Sequence, residues 1–113
     1  MESKTRTYSV PKGLAQFVHD FDGGNGIQDV LTNAVIDGFD KLETRLFNES
    51  SKAIFENLED GVLHFAETTE LMAIDLDLPR SLDIRLRLTA KEYTKTSDEL
   101  LCCCLVQSFT VSV

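Results

Sequence analysis

Leu78–Phe109 reads LPRSLDIRLRLTAKEYTKTSDELLCCCLVQSF, and its interpretation decides the fold of the whole chain. The preceding run, Leu71–Leu78 (LMAIDLDL), alternates, with Ile74, Leu76 and Leu78 on one side and Ala73, Asp75 and Asp77 on the other. Two continuations compete beyond Pro79. Leu82, Ile84, Leu86 and Leu88 keep a period of two, which gives a β-hairpin over 71–88 turning at Pro79, Arg80 and Ser81, and an α+β fold. Leu82, Leu86, Thr89, Ala90 and Tyr93 instead form the stripe of a helix. Periodicity alone leans to the hairpin. Repetition within the chain leans to the helix.

The repeat begins at Thr5. Thr5–Val10 (TRTYSV) alternates, with Tyr8 and Val10 facing one way and Thr5, Thr7 and Ser9 the other, which puts Arg6 on the side of Tyr8. Pro11 follows as Pro79 follows Leu78, in the first turn of a helix where its missing N–H costs nothing. Leu14, Phe17, Val18 and Phe21 supply that helix's apolar stripe, and Asp22-Gly23-Gly24-Asn25-Gly26 stops it. A second helix starts at Ile27, with Val30, Leu31, Ala34, Val35 and Phe39 on one side and Leu42 and Leu46 continuing it. The later copy closes in the same way: Thr96 or Ser97 caps a helix, Asp98 and Glu99 suit its first turn, and Leu100, Leu101, Cys104 and Leu105 make its stripe. The copies align with offset 68 at the strand and 70 after the turn, so the first helix of copy one is two residues shorter. The organisation expected is one domain over 1–113, with copy one at 5–47, an acidic helical connector at 48–70 and copy two at 71–109. Two independent domains of about 50 residues would each bury too little surface to be stable, whereas halves sharing a core avoid that difficulty.

Charge is unevenly spread. The total is −8; residues 1–36 carry −1, residues 37–70 carry −6 and residues 71–113 carry −1. Indiscriminate coating of nucleic acid is excluded, because phosphate neutralisation needs Lys and Arg, but two nearly neutral repeats leave room for a local DNA face. In the connector, Ile54, Phe55, Leu58, Val62 and Phe65 form an apolar stripe whose acidic opposite side is solvated, so an extra helix outside the paired repeats is expected. No basic-then-apolar leader opens the sequence and no stretch is long enough to span a bilayer, so a cytoplasmic protein without membrane contact is expected. Cys102–Cys104 cannot be a disulfide framework and read as reduced thiols at the core and flank of a helix.

Written out, the two stretches resemble the ribbon-helix-helix family of small DNA-binding regulators and antitoxins. Members read as a short strand, a proline, a helix of the type L-D-x-R-L-x-x-x-A-K, a G-R-S/T turn, and a helix opening S-E-L-L. Copy two supplies Leu78-Pro79, Leu82-Asp83, Arg85-Leu86, Ala90-Lys91, then Thr94-Lys95-Thr96 and Asp98-Glu99-Leu100-Leu101. Copy one supplies Val10-Pro11, Leu14, Val18, Gly24-Asn25-Gly26 and Asp29-Val30-Leu31, with Ala34 where copy two has Cys104. Copy two departs at Thr94, where glycine is usual; copy one lacks the charged residues of the first helix. The resemblance covers about two thirds of the chain. It implies a mainly α fold with a small two-stranded antiparallel ribbon, the two units forming an intrachain pseudo-dimer.

It also implies a function: a transcriptional regulator or accessory factor that inserts the ribbon into the major groove of double-stranded DNA without a cofactor. The residues implied are Thr5, Thr7 and Ser9 on the ribbon, Arg6 if the frayed strand start shifts by one residue, and phosphate clamps at Asn25-Gly26 and Lys95-Thr96. Asp75 and Asp77 sit on the same outward face and oppose phosphate. The alternative is an acidic antitoxin-like or inhibitory module that has lost DNA binding and meets a protein partner through the connector; homo-oligomerisation is left open. Other chemistry is weakly signalled. Asp20–Ile27 resembles a calcium loop but lacks the oxygen ligand at its fifth position and has Leu31 where a bidentate glutamate belongs. His19 and His64 have no metal-ligand spacing, and no nucleophile–base pattern is present, so neither metal nor catalysis is expected.

Overall fold

The computed structural model describes residues 3–22, 26–65 and 70–109. Their order is β1 (Ser3–Pro11), α1 (Lys12–Asp22), α2 (Ile27–Asn48), α3 (Ser51–Phe65), β2 (Leu71–Pro79), α4 (Arg80–Glu92) and α5 (Ser97–Phe109). Strand-helix-helix thus occurs twice, with α3 between the copies. The two strands pair antiparallel from Ser3↔Pro79 to Pro11↔Leu71, with Thr7↔Asp75 at the centre. That register is symmetric under the offset of 68: Thr7 and Asp75 are both equivalent and opposite, and the pair Thr5↔Asp77 maps onto Ala73↔Ser9.

The ribbon has one wet and one dry face, as its alternation requires. Tyr8, Val10, Ile74, Leu76 and Leu78 are buried against the helices, while Thr5, Thr7, Ser9, Ala73, Asp75 and Asp77 are exposed. Each strand ends on its proline, so helix begins at Lys12 and Arg80, one residue later than the first-turn placement suggested by sequence. The hairpin over 71–88 does not form, because β2 takes β1 as its partner and Arg80 opens a helix. Leu82 and Leu86 satisfy both periods; what separates them is that Asp83 and Ala90 complete the buried stripe while Ile84 and Leu88 are left on the outside. α1 has 11 residues and α4 has 13, the two-residue difference read from the alignment.

α5 is the central helix. Every residue from Leu100 to Gln107 is buried, which a one-sided stripe cannot explain. α2 packs along one side, where Leu31, Val35, Phe39 and Leu42 are fully or almost fully buried, and α3 covers the other with Ile54, Phe55 and Leu58. The asymmetry between the copies accounts for the cysteine run. With offset 70, Cys102, Cys103 and Val106 correspond to Thr32, Asn33 and Ile36 of α2, which no counterpart of α3 covers among the described residues and which are half-buried or exposed. Beneath α3 the same positions must be small and apolar, and cysteine meets both needs.

The α4–α5 turn stores strain at one residue. Lys95 N–H donates to the Ala90 carbonyl (2.8 Å) and Thr94 N–H to that of Lys91 (3.2 Å), a Schellman closure whose middle residue is left-handed. Thr94 occupies that position at φ 59°, where a β-branched side chain crowds the backbone and glycine does not. Thr94→Gly is expected to stabilise the chain by about 1 kcal/mol, the relief of left-handed strain outweighing the entropy glycine adds to the unfolded state. A denaturation midpoint that stays put or falls would show that Thr94 is not strained.

Candidate functional site

The outer ribbon face is a cross-strand mosaic of hydroxyls and carboxylates set by the register. Thr5 Oγ1 donates to Asp77 Oδ1 at 3.2 Å, and Thr7 Oγ1 donates to Asp75 Oδ1. Each threonine has one hydroxyl hydrogen, so both central pairs use their donor internally and present acceptors outward. Ser9 and Ala73 complete the face. Such a surface can take donors: an amino group of cytosine or adenine, or a lysine or arginine of another protein.

The residues singled out in the sequence do not stay together. Thr5, Thr7 and Ser9 lie together on the outer face as expected. Arg6 does not join them, and the one-residue shift that would have freed it does not occur. Its Nε donates to Asp83 Oδ1 of α4 at 2.8 Å on the inner side, because strand alternation leaves it beside Tyr8. The second clamp is also dispersed. Lys95 Nζ turns to Glu59 Oε2 of α3 (2.7 Å) and lies 4.8 Å from the centre of the Phe55 ring.

Thr96 closes the start of α5 with a reciprocal capping box: its N–H donates to Glu99 Oε1 (2.9 Å), and the Glu99 N–H donates to Thr96 Oγ1 (3.1 Å). Asp98 Oδ1 lies beside them and accepts from the Ser9 backbone N–H at 3.3 Å. Two carboxylates therefore stand at the start of α5, where the resemblance implies a phosphate clamp. The Thr96 backbone hydrogen bond holds the Glu99 carboxyl below its ordinary value, so it is charged at neutral pH. Its contribution to the cap is complete above the ordinary carboxylate range and is lost as pH falls through that lowered value. The spacing Thr96-x-x-Glu99 was a legible sign of this closure.

At the first clamp, Asn25 lies outside the described residues. Gly26 is the N-cap of α2, extended at φ −60° and ψ 149°, with no side-chain cap and with open space where a Cβ would stand. Asp29 in the first turn is the nearest acid in sequence.

Other chemistry-bearing groups are occupied or buried. Burial pushes the Cys102 and Cys103 thiols up to about 12 and the Cys104 thiol well above its ordinary value, so all three are protonated and poor nucleophiles at neutral pH. His19 Nδ1 is 3.6 Å from Asp20 Oδ1, and His64 stands edge-on to Phe65. Among the described residues no three His, Cys, Asp or Glu side chains gather as a metal site, and no helix is long and apolar enough to cross a membrane. No protein-family model, curated protein or solved structure matches the chain.

Proposed function

We propose that this chain is a ribbon-helix-helix pseudo-dimer adapted to bind a protein rather than DNA, an acidic module of the antitoxin-like or inhibitory kind. The twofold relation is supported by the repeated strand-helix-helix order and by the register centred on Thr7↔Asp75. The observation that carries the functional reading is the chemistry of the DNA-facing elements. Asp75 and Asp77 occupy the middle of the ribbon, and the α5 N-terminus is filled by Glu99 and Asp98. A carboxylate about 7 Å from a phosphate is repelled by roughly 0.6 kcal/mol even at the dielectric of water, and a major groove surrounds it with several phosphates. Arg6, the arginine carried by the ribbon strands themselves, is committed to Asp83.

A second reading keeps the family's DNA-binding role, with an asymmetric ribbon reading bases through Thr5, Thr7 and Ser9 and the α2 N-terminus at Gly26 holding one phosphate. Its support is that among the described residues no side chain caps that helix end. Fluorescence anisotropy with duplexes tiled across the upstream region of the protein's own operon separates the two. Expected for the wild type is no saturable binding at physiological salt. The double variant Asp75→Asn, Asp77→Asn is expected to raise DNA affinity by roughly tenfold, about 1.4 kcal/mol for two carboxylates removed from the phosphate field. Saturable wild-type binding that the double variant weakens would mean the carboxylates read bases, and the DNA-binding role would stand instead.

A further inference from the structure

We infer that the groove between α3, the first half of α5 and the Pro11–Leu71 end of the ribbon receives a basic amphipathic helical segment of the partner protein. The inference rests on the protein-binding reading and gives that reading a site that adjoins the outer ribbon face at Ser9. The hollow measures about 700 Å³, within the size range of pockets that accept a few large side chains.

Its floor is apolar. Pro11, Val62, Leu63, Leu71, Cys102 and Cys103 line it, and Leu63 and Leu71 are each 67% exposed, so two large aliphatic side chains flank the opening with most of their surface in water. Burying them beneath a partner is favourable in proportion to the area covered. The cysteines contribute shape rather than chemistry, being protonated and at most slightly exposed.

The rim decides the sign of the partner. Glu56, Glu59, Asp60, Asp98 and Glu99 border the floor, and among the described residues no lysine or arginine lines it. Three of these acids are already engaged: Glu59 by Lys95, Asp98 by the Ser9 N–H and Glu99 by Thr96. Glu56 and Asp60 make no ion pair among the described residues, and they stand four apart on the exposed side of α3. Like charges at that spacing repel and destabilise a helix, a cost that an incoming cation relieves. An apolar slot bordered by uncompensated carboxylates matches a helix that carries Leu, Ile or Met at i and i+4 with Lys or Arg beside them. An acidic helix or a nucleic-acid strand would meet repulsion from α3 and from the start of α5.

The test uses the full chain, isotopically labelled, and two synthetic amphipathic peptides that share a leucine stripe. One bears lysines on its polar face and the other glutamates. Expected is saturable binding of the lysine peptide at low salt, with amide shifts concentrated at Val62, Leu63, Leu71, Cys102 and Cys103, and no binding of the glutamate peptide. Glu56→Gln with Asp60→Asn, both exposed and remote from the core, is expected to weaken the lysine peptide roughly fivefold, the scale of two surface charge contacts. Leu63→Lys should abolish binding with the fold intact. Absence of binding, equal binding of both peptides, or shifts confined to Thr5, Thr7, Asp75 and Asp77 would each overturn the groove. The last pattern would leave protein binding in place on the ribbon, whereas tight wild-type DNA binding would remove the protein-binding reading itself.

Discussion

Gly38→Ala is expected to destabilise the chain by about 2–3 kcal/mol, although a single methyl is added and alanine is the better helix former. A Cβ at Gly38 would lie 1.9 Å from the carbonyl oxygen of Cys104 and 2.7 Å from its carbon. Both are backbone atoms of α5, so no side chain can rotate away. Relief requires α2 and α5 to separate by about 1 Å or more, which loosens contacts along the most extensive helix pair in the molecule. Phe39 and Leu42 on α2, and Leu101 and Leu105 on α5, are at most 1% exposed and would lose close packing together. The intrinsic gain from replacing glycine inside a helix, about 1 kcal/mol, does not offset this. Two other glycines calibrate the result. At Gly61 the added Cβ would meet Val106 Cγ1 at 2.9 Å, a side-chain methyl that can turn, and at Gly26 it would meet nothing. Urea denaturation at constant slope should therefore rank Gly38→Ala far below Gly61→Ala, with Gly26→Ala near the wild type. Equal midpoints for Gly38→Ala and Gly61→Ala would refute the close crossing of α2 and α5.

The parts of this architecture that were legible in the sequence are those fixed by local chemistry. Alternation in TRTYSV and LMAIDLDL identified both strands and their wet faces, and a proline after each marked the passage to helix. The start of the connector at 48 was readable because the apolar stripe of the preceding helix stops after Leu46. Long-range choices were less accessible. Leu82 and Leu86 fit a strand and a helix equally, and the choice between them depends on β2 pairing with a strand 68 residues away. The burial of Cys102 and Cys103 depends on α3 lying across α5, which a single-helix stripe does not contain; the unbroken apolar run Leu100–Val106 was the available sign. At the candidate site, the outward set Thr5, Thr7 and Ser9 followed from period two. The loss of Lys95 to Glu59 could not, since it is decided by where α3 docks.

Arg6→Ile is expected to cost about 3 kcal/mol, and Arg6→Ile combined with Asp83→Ala to recover most of it. Asp83 is 2% exposed, and its carboxylate is held by Arg6 Nε at 2.8 Å, with Arg87 Nε farther off at 3.6 Å. Removing Arg6 leaves a buried carboxylate with only the longer contact, and breaking one partner of such a pair typically costs 3–5 kcal/mol. Arg87, half exposed, lowers the expected figure to the bottom of that range. The rescue follows from the repeat. With offset 68, Arg6 and Asp83 correspond to Ile74 and Ala15, both buried, so the other half of the molecule fills the equivalent positions with apolar side chains. The double variant copies that solution, and replacing a buried ion pair by apolar residues is often neutral or stabilising. Asp83→Ala alone should cost less than Arg6→Ile, because Arg6 keeps 32% of its side chain exposed and can turn its guanidinium to water. A coupling energy near zero in this cycle would mean that the pair does not bridge β1 and α4. Strong coupling with full rescue would give the ion pair a different role from stability: it joins the strand of copy one to the first helix of copy two, and the reverse connection, Ile74 with Ala15, carries no charge. Under the proposed twofold relation, two copies of one half would place Arg6 opposite Ala15 or Ile74 opposite Asp83, leaving a charge without its partner, while the linked, unlike halves satisfy both.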